Sequence, residues 1–266
     1  MRFSSFDFDV ITGPAPEDPR EPEMPAPAIA SPAPIRVLST LGLMGALQSR
    51  QAQLEHRLGM PIAFDFAPTK ILAGRLEAGE AAELAILTAE AVVRLTAAGR
   101  LGPGGAALAA SLVGMAQAPG RARPDIATPG ALVATLQAAG SIAYSAAGAS
   151  GLFFAALLDR LGIAADINAK ATIIPQGLTG ALVARGETEY AIQQVSELML
   201  VDGIDVIGPL PAELQAPTIF SVAPVAAGAG GAATTALIRL LSAPDMAAAF
   251  AATGLSPLAG TSSDGH

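Results

Sequence analysis

The sequence predicts an α/β protein built as two lobes with a cleft between them. Three observations carry this. Short apolar runs of strand character alternate with stretches of helical period. The connections are only a few residues long, as in the βα units of a parallel sheet. The series also occurs twice, with extended crossing segments between the halves.

The elements follow in order. Residues 35–38, Ile-Arg-Val-Leu, read as a strand, and residues 43–58 as an amphipathic helix with Leu43, Leu47, Leu54 and Leu58 near one face. Residues 62–66 give a second strand, 70–78 a second helix, 84–87 a third strand and 89–98 a third helix. The middle repeats the style. A helix over 129–138 precedes a strand over 141–144. The small-residue loop 145–151 then leads into a helix over 152–161, closed by Gly162. A strand over 172–174, a helix over 178–184 and strands over 189–193 and 204–207 follow. A strand over 218–225 returns after a long crossing, and helices over 234–241 and 245–252 end the series. This pattern assigns 35–116 and 218–258 to a first lobe and 117–217 to a second. Residues 1–34, dense in proline and acid without period, read as a disordered tail, and 259–266 as a loose end.

Composition removes several classes of function. The chain of 266 residues carries a formal net charge of −8 and no basic run, which argues against nucleic acid. It contains no cysteine, so disulfides, thiolate metal sites and cysteine nucleophiles are excluded. Its two histidines are His56, in a polar helical stretch, and the last residue, His266, so a histidine triad or zinc site is not expected. No metal and no cofactor is implied. Hydrophobic residues make up 52 %, and residues 101–120 and 126–158 are free of charge. Glycine, proline and small polar residues interrupt both stretches, so they read as helices and fully buried parallel strands, not membrane spans. The first 34 residues contain no continuous apolar segment of signal-peptide length, which points to the cytoplasm if the chain as written is the full product.

In open α/β sheets, ligands gather beyond the carboxyl ends of the strands. Here those ends carry Ser39 and Thr40, Thr69 and Lys70, the loop from Ser145 through Ser150 to Gly151, and Gln193 and Gln194. Hydroxyls, glycines and amides recur where helices begin, which suits a small anion. Ordinary helix capping by serine and threonine accounts for any one of them. Lys70 is the electrostatic oddity, because a helix N-terminus disfavours a cation unless an anion sits beside it. The alternative is a solvated loop lysine.

The segments around Ser39-Thr40, residues 72–84, the loop Tyr144-Ser145 to Ser150-Gly151, and residues 182–189 together resemble the periplasmic molybdate-binding proteins of ABC importers. The likeness runs over about residues 35–255 and rests on order and spacing. It implies a type II periplasmic-binding-protein fold, a periplasmic location, an ABC permease as partner if the chain serves an importer, and an oxyanion held by hydroxyls and backbone N–H groups. Ligands would fall on Ser39 or Thr40, on Thr69 or Lys70, at the Ser150 and Gln176 backbones, and on Gln194, where the family has tyrosine. The lysine and the glutamine depart from the family pattern and suit a carboxylate better than a tetrahedral oxyanion. Residues 193–198 and 208–215 are similar to a branch that includes aconitate isomerase. That resemblance implies an allylic proton shift on an unsaturated polycarboxylate, with Lys70, Tyr144 and Glu197 as candidate proton carriers. A buried aromatic role for Tyr144 and a capping role for Glu197 are the plainer alternatives. Solute binding leads, the isomerase is second, and a ligand sensor third.

Overall fold

A computed structural model describes residues 33–226 and 231–258; residues 1–32 of the tail expected at 1–34, and the loose end expected at 259–266, lie outside the described residues. The first sheet has six strands in the order β11-β4-β10-β3-β1-β2. Its members are β1 (Ile35–Ser39), β2 (Ile62–Phe66), β3 (Leu84–Thr88), β4 (Ala106–Ser111), β10 (Thr218–Pro224) and β11 (Ser256–Pro257). The second has five, in the order β7-β6-β8-β5-β9. These are β5 (Val113–Gln117), β6 (Ile142–Ser145), β7 (Ala171–Ile174), β8 (Tyr190–Gln194) and β9 (Asp205–Pro209). The helices are α1 (Met44–Leu58), α2 (Thr69–Glu77), α3 (Ala89–Ala97), α4 (Pro129–Ala138), α5 (Ala149–Leu161), α6 (Ala164–Asn168), α7 (Gly180–Ala184), α8 (Val195–Leu198), α9 (Ala232–Leu241) and α10 (Pro244–Ala252).

Strand alternation loads both faces of the first sheet. Ile35, Val37, Leu84, Ile86, Phe220 and Val222 pack in a core with residues of α1, α9 and α10. Their neighbours Leu38, Ala85, Leu87 and Ala223 pack in another with α2 and α3. The side-chain period of two produces this division. Leu47 and Leu54 of α1 are buried as the helical period requires, and the helix stops at Gly59, which takes the left-handed conformation. The second sheet buries Met115, Ile142, Tyr144 and Ile192 with residues of α4, α5 and α6. Its other face holds Ala116 and Ala191 with Val183 and Leu198 of α7 and α8.

The charge-free stretch 101–120 forms β4 and β5, which are antiparallel to their neighbours, not parallel as expected. Burial on both faces makes a strand read as one apolar run whatever its direction. β5 begins at Val113 and belongs to the second sheet, so that sheet opens ahead of residue 117. Two crossings therefore join the sheets, at Leu112 and over residues 210–217. Gln215 ties them together. Its Oε1 accepts from the Val113 N–H (2.8 Å), and its Nε2 donates to the carbonyls of Val113 (3.0 Å) and Leu210 (2.8 Å). Among the described residues no single helix is long and apolar enough to cross a membrane.

At the edge of the first sheet Arg36 and Arg75 bracket Asp65 and Glu80. Arg36 Nη2 lies 3.1 Å from Asp65, and Arg75 Nε lies 2.6 Å from Glu80. Hydrogen bonding from Arg75 holds both carboxyls low, Glu80 at about 2. Depressed acids lend stability above their unfolded value and lose it as pH falls through the folded value. Arg75→Ala is therefore expected to lower the melting temperature at pH 6 but hardly at pH 2. Half-exposed charges are screened, so 1 M salt should shrink the difference. An equal loss at both pH values would show that Arg75 acts through packing alone.

Candidate functional site

The carboxyl ends of β1, β2, β6 and β8 converge on a narrow cavity of about 10 Å³ between the two sheets. That is room for about one water molecule. Thr40 and Leu41 line it from the end of β1, Pro68 and Thr69 from the start of α2, and Ser145, Gly148 and Ala149 from the β6–α5 loop. Gly177, Gln193, Gln194, Glu197 and Phe220 complete the wall. A wider cleft of about 600 Å³ opens outward, sharing Thr69 and Ala149. Its sides are Lys70, Thr88, Glu90 and Arg94 on one lip, Leu152 and Phe153 on the other, and Thr218 and Ile219 at its base.

Local sequence explains the wall. α2 starts after Pro68 and α5 after Gly148, neither with a side-chain cap nor with an acid in its first turn. By contrast, Thr88 and Thr128 cap α3 and α4 by accepting from Ala91 and Ala131. Two uncapped N-termini, with their partial positive charge, thus meet at one polar spot. α5 begins at Ala149, three residues earlier than the sequence suggested, because Gly148 and Gly151 let the loop close on itself. The Gly148 N–H donates to Ser145 Oγ at 3.2 Å. A Cβ on Gly151 would stand 1.7 Å from the Ser145 carbonyl oxygen.

Among the described residues five buried side-chain polar atoms lack a partner. Three of them, Thr69 Oγ1, Ser150 Oγ and Gln194 Oε1, belong to the segments that build this cavity. Buried polar atoms are normally satisfied, so such a cluster marks a place where something else supplies the partner. Gln194 Nε2 donates to Thr218 Oγ1 at 3.0 Å. Turning the amide over keeps that bond, because the hydroxyl can donate or accept, and presents N–H to the cavity. Gln193 is committed locally: its Oε1 accepts from Thr179 N–H (2.7 Å) and Thr179 Oγ1 (2.9 Å), and its Nε2 donates to the Gly177 carbonyl (3.0 Å). It fixes the 177–179 turn against β8.

The structure thus brings Thr40, Thr69, Ser145, Gln193, Gln194 and Glu197 together. Ser39 is buried one residue behind, its hydroxyl donating to the Thr40 carbonyl (3.1 Å). Gly151 stands behind the loop as a close-packing position. Lys70 is exposed and lines the outer cleft rather than the inner cavity. Among the described residues it has no ion-pair partner, whereas Arg94 is paired with Glu77. Gln176 is exposed and lines neither space, and its neighbour Gly177 reaches the inner wall instead. Tyr144 points into the core of the second sheet, its hydroxyl donating to Asn168 Oδ1 (2.7 Å) and its ring edge-on to Phe154. Strand alternation explains this, since Ser145 takes the cavity side. The sequence reading passed over Phe220, Thr218 and Arg94. Phe220 and Arg94 gave no local signal, and Thr218 is placed only by the crossing strand.

Glu197 is 7 % exposed, at the start of α8 directly after β8. Burial raises its carboxyl to about 7, and the Gln193 side chain and Gln194 N–H offset this only in part. No cation contributes.

The sequence profile of the bacterial extracellular solute-binding protein family matches residues 35–256. An aconitate isomerase of Pseudomonas sp. is 33 % identical over 231 residues, which cover 84 % of this chain and 88 % of that protein. Among solved structures, the periplasmic molybdate-binding protein of Azotobacter vinelandii superposes with a TM-score of 0.70 at 16 % identity, over 83 % of this chain and 98 % of that one. A tungstate-binding protein of Desulfovibrio alaskensis gives 0.60 at 12 % identity, over 85 % and 99 %. The two-lobed binding-protein fold and the profile agree with the cavity between the sheets: the chain belongs to the bacterial extracellular solute-binding protein family.

Proposed function

We propose that this protein captures a small anion, an oxyanion or a small polycarboxylate, between its two lobes. The observation that carries this is the set of orphaned buried atoms, Thr69 Oγ1, Ser150 Oγ and Gln194 Oε1, at the meeting of two uncapped helices. An anionic group seated there would accept from the hydroxyls and the helix N–H groups. The lobes, taken as each sheet with its helices, would hinge at Leu112 and residues 210–217 to admit it. As an importer component the protein would hand that anion to an ABC permease. A thermal-shift screen with molybdate, tungstate, sulfate, citrate and both aconitates tests the reading. A bound anion at 100 times its dissociation constant adds about 2.7 kcal/mol. A flat screen overturns it.

The outer cleft favours a carboxylate with a second anionic group. Such a ligand would place one group in the inner cavity and another beside Lys70. Lys70→Met is then expected to weaken carboxylate binding by about 1.5–3 kcal/mol, the range for charged hydrogen bonds, and to leave molybdate binding alone. Unchanged carboxylate affinity would return Lys70 to the role of a solvated residue.

A second reading is an isomerase of the aconitate type. It is favoured by the relative at 33 % identity and by a buried carboxyl, Glu197, at the cavity wall. A C–H proton would leave one end of the allylic system and a proton would return at the other. Proton NMR of cis-aconitate in D₂O with the protein would show trans-aconitate carrying deuterium. No conversion with tight binding would leave binding as the function.

A further inference from the structure

We propose that Glu197 enters the anion complex as a neutral carboxylic acid, so that in alkaline solution one proton is taken up with each anion bound. The inference rests on the anion reading and adds the ligand's chemistry at one wall. Glu197 lines a cavity of about 10 Å³ together with Thr40, Thr69, Ser145 and Gln194, none of them charged. An ionised carboxyl there would face a bound anion at contact distance, out of water, with no cation between them. A neutral carboxyl instead offers an O–H, and the anion needs donors. Two of the orphaned atoms, Thr69 Oγ1 and Gln194 Oε1, belong to residues that line the same cavity and point to an occupant there.

The charges around α8 do not change this. The elements packed on it are the 3-10 turn Leu41–Leu43, α1, β5, β8 and β9. The turn and β5 carry no ionisable residue; β8 carries Tyr190, at its far end; β9 carries Asp205, which is exposed. The α1 groups are Arg50, Glu55, His56 and Arg57, and α2 across the cavity carries Lys70, Arg75 and Glu77. None of these charges contributes to the state of Glu197, which burial alone pushes toward the protonated form. The proton comes from solvent, no covalent bond of the ligand changes, and the anion must present a bare acceptor oxygen to Glu197. A fully ionised oxyanion or carboxylate is therefore preferred over an anion that carries its own proton there.

Titration calorimetry with molybdate and with trans-aconitate, both fully ionised over the range used, tests the proposal. Between pH 7.5 and 9 the dissociation constant is expected to rise about tenfold per pH unit. Paired buffers of different ionisation enthalpy should report uptake of about one proton per anion at pH 8.5. Glu197→Gln keeps a donor without titrating, and should bind at pH 8.5 more tightly than the parent with no pH slope. The buffer comparison on the parent stands even if that variant folds poorly. Binding that is flat in pH without proton uptake overturns the proposal and leaves the anion reading intact. Proton uptake that persists in Glu197→Gln also overturns it. Failure of every anion to bind overturns both.

Discussion

Alanine at position 151 is expected to cost the protein both stability and ligand. Gly151 sits in the first turn of α5 with its α-carbon against the end of β6. A methyl group there would lie 1.7 Å from the Ser145 carbonyl oxygen and 2.6 Å from its carbonyl carbon. Both are backbone atoms of a buried strand end, so no side chain can swing aside. The helix start must back away from β6. That displaces Gly148 and Ala149, which line the cavity, together with the neighbouring Ser150. Overpacking of this kind costs about 3 kcal/mol or more. Loss of the loop's N–H groups should cost the anion roughly a hundredfold in affinity, at about 1.5–3 kcal/mol per charged hydrogen bond. Thermal melts and ligand titrations of Gly151→Ala read the two effects separately. A variant that melts with the parent and binds as well would show that the loop relaxes freely and that this contact does not build the site.

The unliganded protein is expected to lose stability as pH rises from about 4.5 to about 7, on account of Glu197. Its carboxyl titrates at about 7 in the fold against the ordinary 4.5 of a free glutamate. Between those values the folded state binds more protons than the unfolded chain, so stability falls with rising pH and is flat above. The full difference is about 3 kcal/mol at 1.36 kcal/mol per pH unit. Glu197→Gln removes the term. At pH 8 the variant should melt higher than the parent by about 6–12 °C, at roughly 2–4 °C per kcal/mol in a domain of this size. At pH 4.5 the two should melt together. A site that stores instability in this way trades stability for function. Equal melting at pH 8 would show that water or movement of α8 solvates the carboxylate. The acid side has the opposite sign. There the Asp65–Glu80–Arg75–Arg36 cluster loses its contribution as pH falls toward 2. Stability should therefore peak between the two windows.

Much of this protein follows from its sequence alone. The short apolar run at residues 35–38 and the leucine spacing of α1 determine a strand and a helix, because side-chain direction is a local property of the backbone. The strand ends rich in hydroxyls, amides and glycine are also legible in the sequence, and the fold brings Thr40, Thr69, Ser145 and Gln194 from them to one cavity. Tertiary structure decided the rest. Only strand pairing could make 101–120 two antiparallel strands, since burial on both faces erases the alternation that would tell direction. Only packing could send Tyr144 to the core and Ser145 to the cavity, put Gly177 where Gln176 was expected, and leave Lys70 in the outer cleft. Glu197 shows the division most sharply. As a sequence residue it is a glutamate beginning a short helix, indistinguishable from a solvated cap. Its exclusion from water by the turn at Leu41–Leu43 and β5, elements distant in the chain, makes it a carboxyl that can keep its proton at neutral pH. Desolvation is a sum over neighbours in space, and no local stretch of sequence contains that sum.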